Sequence, residues 1–289
     1  MSQSILITGA NGNVSTAVIG ALKNKQVNVR AMVRNTSKTA ALEAQGVEVV
    51  IGDLEDPTSL PKAFDGIDKV FLLSSNGPRC AENHSNGVWA ARQAGVSHVV
   101  RMSAIGAANN APTINSRLHA LSDNELAASG MPYTIVKPQF FMQNLMMAAQ
   151  SVAKDGAIYM PLADGRIGMV DVRDIGDFAA KVLTSGGHES QSYTLTGPDS
   201  VTMSQVAEAF TTALEKPIKY VAVTLEQGAQ SMAGMGMDAF TLNMMNDYMK
   251  VYSNNWGDVV TNTFQKITGK APRSVGDFAR DFAGAFGAK

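Results

Sequence analysis

The residues best suited to hold a phosphate lie near the start, in Gly9-Ala-Asn11-Gly12-Asn13-Val14-Ser15. The run Ser4-Ile-Leu-Ile-Thr8 before them reads as a strand, and residues 14–23 after them read as a helix. A strand, a glycine loop and a helix in that order are what a dinucleotide fingerprint requires. Gly9 suits the tight turn, and Gly12 lets the backbone approach a pyrophosphate. The helix N-terminus then offers free N–H groups and the positive end of its dipole. Ser15 stands where a third glycine or alanine is usual, and it is small enough to pack there. Asn11, Asn13 and Val14 belong to the same candidate binding loop.

The end of the second strand selects between dinucleotides. An acidic residue there would bind a ribose 2′-hydroxyl. The chain has Val33-Arg34-Asn35-Thr36-Ser37-Lys38 instead, with no carboxylate. Arg34 can pair bidentately with a 2′-phosphate and Lys38 can add a point charge, which favours NADP(H). The competing reading is a solvated basic turn. Ligands bind outside the carboxyl ends of parallel strands. Asp53 and Leu54 after the third strand, Ser74 and Ser75 after the fourth, and Ser103 after the fifth therefore join the cofactor-binding candidates. Pro138 and Phe140 after the sixth complete the set.

The elements that must position these groups alternate. Short β-branched runs at 4–8, 27–33, 47–51, 69–73, 98–102 and 133–137 are separated by helical patterns at 14–23, 37–45, 59–64, 83–94 and 117–129. That rhythm predicts βαβ units, and so a Rossmann-type doubly wound parallel sheet in the α/β class. Gly46, Gly66, Gly95 and Gly130 each follow a helix, where a left-handed cap is wanted. Asp56-Pro57 marks a helix start. Beyond Pro138 the pattern predicts helices over 140–154, 172–185, 204–214, 238–252 and 274–286. Short strands are expected at 157–160, 167–170, 193–196 and 218–223. The expected division is a dinucleotide-binding domain over 1–155, with the 172–185 helix packing back on it, and a smaller, mostly helical substrate domain over 156–289.

Composition narrows the function. The 289 residues carry 24 Lys and Arg against 25 Asp and Glu, a net charge of −1 that argues against nucleic-acid binding. A single cysteine excludes an internal disulfide framework. No apolar run reaches membrane-spanning length and no signal peptide opens the chain, so no membrane association and a cytoplasmic location are expected. The four histidines show no metal-ligand spacing, so no metal is expected. Of 16 methionines, 13 lie beyond residue 130, suited either to gap-filling or to a broad apolar pocket.

ITGANGNVS, AMVRN, VEVVIGDLED, SGMPYTIVKPQFFMQN and VDVRDIGDFAAKVL together resemble the NmrA-like group of atypical short-chain dehydrogenases/reductases. The resemblance spans nearly the whole chain, and within that group it is strongest toward triphenylmethane reductases and bacterial quinone reductases. It implies a nicotinamide beside a methionine- and aromatic-lined pocket. Candidate pocket residues are Phe141, Met142, Asn144, Met146, Tyr159, Met160, Met245, Tyr248 and Trp256; the alternative for each is a place in the core.

Short-chain dehydrogenases generally use Tyr-x-x-x-Lys on a helix. Here Tyr133-Thr-Ile-Val-Lys137 falls on an expected strand, where four residues span about 13 Å rather than about 6 Å. The pair cannot cooperate there. The preceding helix carries His119-Ala-Leu-Ser-Asp123 at the matching spacing, and relatives have a similar histidine. His119 is the candidate catalytic group, as proton donor or substrate orienter, against a purely packing role.

Without a tyrosine donor, the favoured chemistry is NADPH-dependent hydride transfer to a small aromatic or conjugated acceptor: a quinone, an azo compound or a triarylmethane dye. The alternatives are a non-catalytic NADP(H)-binding sensor of the NmrA type, and an alkene or imine reductase of a biosynthetic route. A monomer or a homodimer is expected. Asp171, Arg173 and Asp174 sit at a helix start, where capping explains the two acids.

Overall fold

Five consecutive residues of one segment, His98–Met102, are all buried, as a strand covered on both faces requires. The computed structural model describes residues 2–36 and 39–287. Its strands are β1 (Gln3–Ile7), β2 (Val27–Val33), β3 (Glu48–Ile51), β4 (Lys69–Leu72), β5 (His98–Met102), β6 (Tyr133–Pro138), β7 (Ala157–Met160), β8 (Gln191–Leu195) and β9 (Lys219–Ala222). Its helices are α1 (Asn13–Leu22), α2 (Ala40–Glu43), α3 (Leu60–Phe64), α4 (Cys80–Gln93), α5 (Ile114–Ala128) and α6 (Ala149–Asp155). They continue as α7 (Val172–Thr184), α8 (Met203–Leu214), α9 (Leu225–Gly234), α10 (Ala239–Tyr252), α11 (Thr263–Thr268) and α12 (Val275–Asp281).

Two compact units result. The first holds Met1–Ala111, Asn115–Lys137 and Ile175–Thr194; the second holds Pro112–Ile114, Pro138–Asp174 and Leu195–Lys289. The first is built on a seven-stranded sheet in the order β3-β2-β1-β4-β5-β6-β8. β1 pairs in parallel with β2 and β4, and β5 with β4 and β6. The sequence order reverses between β1 and β4, the switch point at which a doubly wound sheet opens a crevice.

Side chains alternate across that sheet. Leu6, Val70, Leu72 and Val99 share a core with Leu60 and Phe64 of α3 and with Val88 and Ala91 of α4. Ile5, Ile7 and Phe71, pointing the other way by the two-residue period, are also fully buried. Near α1, a Cβ on Gly176 of α7 would lie 2.7 Å from the backbone of Ala17, so only glycine lets the two helices meet. The four junction glycines, at 46, 66, 95 and 130, have φ of +68° to +76°. The fold is the Rossmann-type α/β architecture that the alternation predicts, with β8 as an additional strand beside β6.

The second unit has a two-stranded parallel sheet, β7 with β9, and an apolar core centred on aromatic rings. Phe210 meets Phe286 edge-on at 4.7 Å. Two local expectations change here. Residues 140–154 do not form one helix: Phe140 and Met142 exchange backbone hydrogen bonds with Val170, so a 3₁₀ turn starts only at Met142 and α6 only at Ala149. Residues 167–170 form no strand. Ile167 bridges Val201, Gly168 donates to Gly257 and Val170 bridges Phe141, so three separate segments share the donors of one run. A Cβ on Gly168 would come within 2.1 Å of the Val259 carbonyl oxygen, and one on Gly197 as close to that of Met169.

Candidate functional site

At the carboxyl ends of β1 to β4, the first unit opens a cleft of about 490 Å³. Gly9 begins its floor with φ +59°; a Cβ there would press to 2.9 Å from the Leu73 side chain. Gly12 closes the turn by donating to the Gly9 carbonyl at 2.9 Å, and its own Cβ position lies 3.3 Å from that oxygen. Gly12 is also the N-cap of α1. No side chain caps this helix and no acid occupies its first turn, so its first N–H groups and positive dipole end are left for an anion. Ser15 fills the third motif position by donating from Oγ to the Thr8 carbonyl at 2.8 Å, pinning α1 to β1. On the other flank, Thr8 ties β1 to β4: its hydroxyl donates to the Leu73 carbonyl at 2.7 Å and accepts from the Leu73 amide at 2.8 Å.

Among the expected cofactor residues, Gly9, Asn11, Gly12, Arg34, Asp53, Leu54, Ser74 and Ser75 line this cleft. Arg34 is exposed within it. Lys38 lies outside the described residues. Asn13 and Val14 form the first turn of α1. One Asp53 carboxylate oxygen accepts from the Glu55 amide at 3.0 Å, which holds the loop after β3. Asn83 was not anticipated. Its amide nitrogen donates to Ser74 Oγ at 3.2 Å, while its Oδ1 is buried without a partner among the described residues. Sequence gave no cue, because the asparagine sits inside a helical pattern.

Ser103 does not line the cleft. It donates to Asp123 at 2.8 Å within a buried network that centres on Arg101 of β5. Arg101 is wholly buried; it pairs with Asp123 and donates to His119 Nδ1 at 3.0 Å. Lys137 reaches the same carboxylate at 3.3 Å. Tyr133 and Lys137 both lie on β6, as the strand reading requires, and the lysine serves this carboxylate. Burial, followed by the charges of Arg101 and Lys137, pushes the His119 pKa well below its ordinary value. A guanidinium only donates, so His119 Nδ1 must accept, and the neutral ring carries its hydrogen on Nε2. His119 is thus held as a neutral Nε2–H donor. An arginine amid the apolar residues of HVVRM is the signal that could have revealed this network, since a buried charge demands partners.

The remaining candidates lie in the second unit. Phe140 and Met142 are core residues, and Phe140 meets Tyr252 edge-on at 5.8 Å. Tyr248 stacks on Tyr252 at 5.5 Å and Trp256 packs against it at 5.7 Å. Tyr252 in turn donates to Gln139 Oε1 at 2.7 Å. Phe141 and Asn144 are half-buried, Met146 packs against the core, and Pro138 ends β6. Tyr159, Met160 and Met245 line a second cavity, of about 350 Å³. Asp171 accepts from the Arg173 backbone at 2.8 Å and pairs with its guanidinium at 2.7 Å; Asp174 pairs with Arg273. Burial opposes ionisation of Asp171, yet its bonds from Arg173 and Gln143 hold the carboxyl below its usual range. No group of His, Cys, Asp and Glu among the described residues could hold a metal ion.

A parallel sheet that reverses order beside an uncapped, glycine-led helix defines a dinucleotide-binding protein of the Rossmann class. The model of the NmrA-like family matches residues 1–269, and the chain belongs to that family. It is 38% identical to an NAD(P)H azoreductase of Xenophilus azovorans, over 98% of this chain and 99% of that protein. An NADPH-dependent quinone oxidoreductase of Escherichia coli, solved with NADPH, superposes with a TM-score of 0.87 at 28% identity, covering 96% of this chain and 99% of the other. Citrobacter triphenylmethane reductase, solved with NADP(H), gives 0.86 at 26% identity with the same coverage.

Proposed function

We propose that this chain is an NADPH-dependent reductase that passes hydride to a conjugated acceptor (a quinone, an azo compound or a triarylmethane dye) without a Tyr/Lys donor pair. The observation that carries the reading is the cleft over α1, where glycines at 9 and 12 leave no Cβ in the way and the helix N-terminus stays uncapped. The residues there fit NADP(H). The α1 amides and Gly12 would hold the pyrophosphate, and Arg34 with Lys38 would take the 2′-phosphate. Asp53 would accept from the adenine amino group, and the Asn83 Oδ1 acceptor gains a donor from a ligand hydroxyl or amide. Bound there, the reduced nicotinamide supplies the hydride. Ser103, Pro138 and Phe140 remain proposed neighbours of that ring, and Phe141, Met142, Asn144, Met146, Tyr248 and Trp256 of the acceptor.

His119, held neutral, offers the acceptor a hydrogen bond from Nε2, and solvent supplies the proton that completes reduction. Quinones and dyes, which take hydride readily, should then outrun simple ketones. The work is divided between a dinucleotide-binding part and a smaller substrate-binding part. No helix of the described residues is long and apolar enough to cross a membrane. With a net charge of −1, the near-neutral chain favours small-molecule partners over nucleic acid, and we place it in the cytoplasm as a monomer or homodimer.

The test follows NADPH absorbance against a panel of quinones, azo dyes, triarylmethane dyes and ketones. Turnover of quinones or dyes is expected, and His119→Ala should slow it by less than the roughly 10²-fold lost with an obligate proton donor. Turnover of ketones alone would rule out the donor-free mechanism. No turnover, with NADPH and NADP⁺ bound at different affinities, would favour the sensor.

A further inference from the structure

The network around Arg101 carries an excess of positive charge: Arg101 and Lys137 are cations, and Asp123 is the carboxylate they share. These groups lie in the first unit with His119, on β5, β6 and α5. The guanidinium directs one nitrogen at Asp123 and another at His119 Nδ1, 3.0 Å away. Asp123 has further partners in Lys137 at 3.3 Å and Ser103 at 2.8 Å. The bond to His119 is therefore an addition to a carboxylate already well satisfied. Beside His119, at 6.0 Å between ring centres, is His84 of α4, which burial also keeps neutral. His84 donates from Nδ1 to the Cys80 carbonyl at 2.8 Å, so it leaves His119 alone. His119 Nε2 has no hydrogen-bond partner among the described residues. Hydrogen bonds in a chain polarise one another. A neutral imidazole that accepts from a guanidinium on one side becomes a stronger donor on the other, and the excess positive charge behind it favours an anion there.

We propose that Arg101 is a positioning residue that polarises His119, so that Nε2–H stabilises the negative charge left on an acceptor by hydride transfer. The inference rests on the reductase reading above and sorts its acceptors by the charge they develop. A quinone that takes hydride gains the electron pair of the C–H bond broken in NADPH, which departs as NADP⁺. One new bond to hydrogen forms on the quinone and one oxygen becomes anionic. An azo compound likewise gains one N–H bond and a negative nitrogen. Water then protonates either anion and leaves hydroxide. A triarylmethane cation differs, because hydride forms a C–H bond at its central carbon and cancels its charge. No anion appears and no proton is needed. Stabilisation of charge speeds only a transition state in which that charge develops. Arg101 and His119 should therefore favour quinones and azo compounds over cationic dyes.

Two measurements test this. The first is nitrogen NMR of the cofactor-free protein labelled at its histidine nitrogens, with His119 assigned by its loss in His119→Gln. The ring should stay neutral with its hydrogen on Nε2 from about pH 6 to 8, across the ordinary histidine pKa of about 6.5. Arg101→Met should move the Nδ1 resonance toward that of a free acceptor nitrogen. Arg101→Lys keeps a cation for Asp123 but loses the fork that reaches both partners, and should move it the same way. The second measurement compares kcat on 1,4-naphthoquinone with kcat on the malachite green cation. Each Arg101 variant should lower the quinone-to-dye ratio about tenfold, as for one charge-assisted contact. Misfolding or lost cofactor affinity would instead lower both rates together. A wild-type His119 that carries its hydrogen on Nδ1, or that titrates near 6.5, would overturn the proposal. So would an Nδ1 resonance unmoved by Arg101→Met, or a quinone kcat that survives that change. The expected NMR shift in a protein that oxidises no NADPH with any acceptor would retain the Arg101–His119 coupling and refute the reductase reading.

Discussion

Helix α1 of the first unit and three helices of the second treat the same backbone problem in opposite ways. Every helix begins with four N–H groups that have no partner of their own. In the second unit, α8, α9 and α12 each begin with a full capping box: Thr202 with Gln205, Thr224 with Gln227, and Ser274 with Asp277. In the first unit, α1 begins at Gly12 with no side chain turned back on it. Capping is plainly within this sequence's means, and the helix left uncapped at the crest of the parallel sheet is the one at the proposed pyrophosphate site. Uncapped ends matter where the fold also aims them at a cleft.

The comparison breaks most sharply if the missing cap is supplied. Gly12 has φ −84°, which any residue can adopt, so Gly12→Asp should fold. Its carboxylate would cap α1 and set a negative charge at the proposed pyrophosphate site. NADPH affinity should fall about a hundredfold or more, with thermal stability unchanged or raised. Titration alongside a melting curve checks both; retained affinity would remove α1 from the binding site. Arg34→Ala probes the other end of the same ligand. It should cost NADPH about tenfold and leave NADH unaffected, as expected for one charge-assisted contact.

Acid should separate the units next. All four histidines lie in the first unit, and each is held below its ordinary pKa, with burial as the largest cause. His98 is lowered to about 4. Between about pH 6.5 and 4 the unfolded chain therefore binds more protons than the folded one, and stability falls as pH falls. The second unit has no histidine. Its lowered carboxyls, such as Asp171 and Asp277, begin to cost stability only near and below their unfolded range, about pH 4. Trp89 reports on the first unit and Trp256 on the second, so single-tryptophan variants made by Trp→Phe exchange can follow each. At pH 5 the Trp89 signal should melt at a lower temperature than at pH 7, and the Trp256 signal should shift less. The smallest effect is expected from Thr202→Ala, which should destabilise α8 by about 1 kcal/mol and leave NADPH binding unchanged. A cofactor effect from that change would erase the contrast between structural and functional helix starts.

Legibility in the sequence followed the range of the interactions. The glycine loop, the strand alternation and the junction glycines are local devices, and each was readable within about ten residues. Tyr133 and Lys137 could be set aside because strand periodicity alone separates them. The stretch 140–170 misled because its backbone partners, Val201 and Gly257, lie far along the chain. Asn83 was invisible for a related reason, since its importance lies in the neighbours that folding brings to it, whereas Arg101 was marked only by standing in an apolar strand. Methionine composition announced a pocket, and only the three-dimensional arrangement chose which of the methionines line it.

Gly168 and Gly197 carry a consequence for synthesis on the ribosome. Gly168 donates to Gly257 and lies against Val259 so closely that no side chain fits between them, and Gly197 packs in the same way against Met169. The Gly168 N–H therefore has no mate until residue 257 has emerged, although Ile167 and Val170 already have theirs in Val201 and Phe140. The first unit, by contrast, has all its strands once residue 194 is made. A nascent chain stalled near residue 240 should bind NADPH while its second half still yields to protease, so that the cofactor is in hand before the acceptor has anywhere to go.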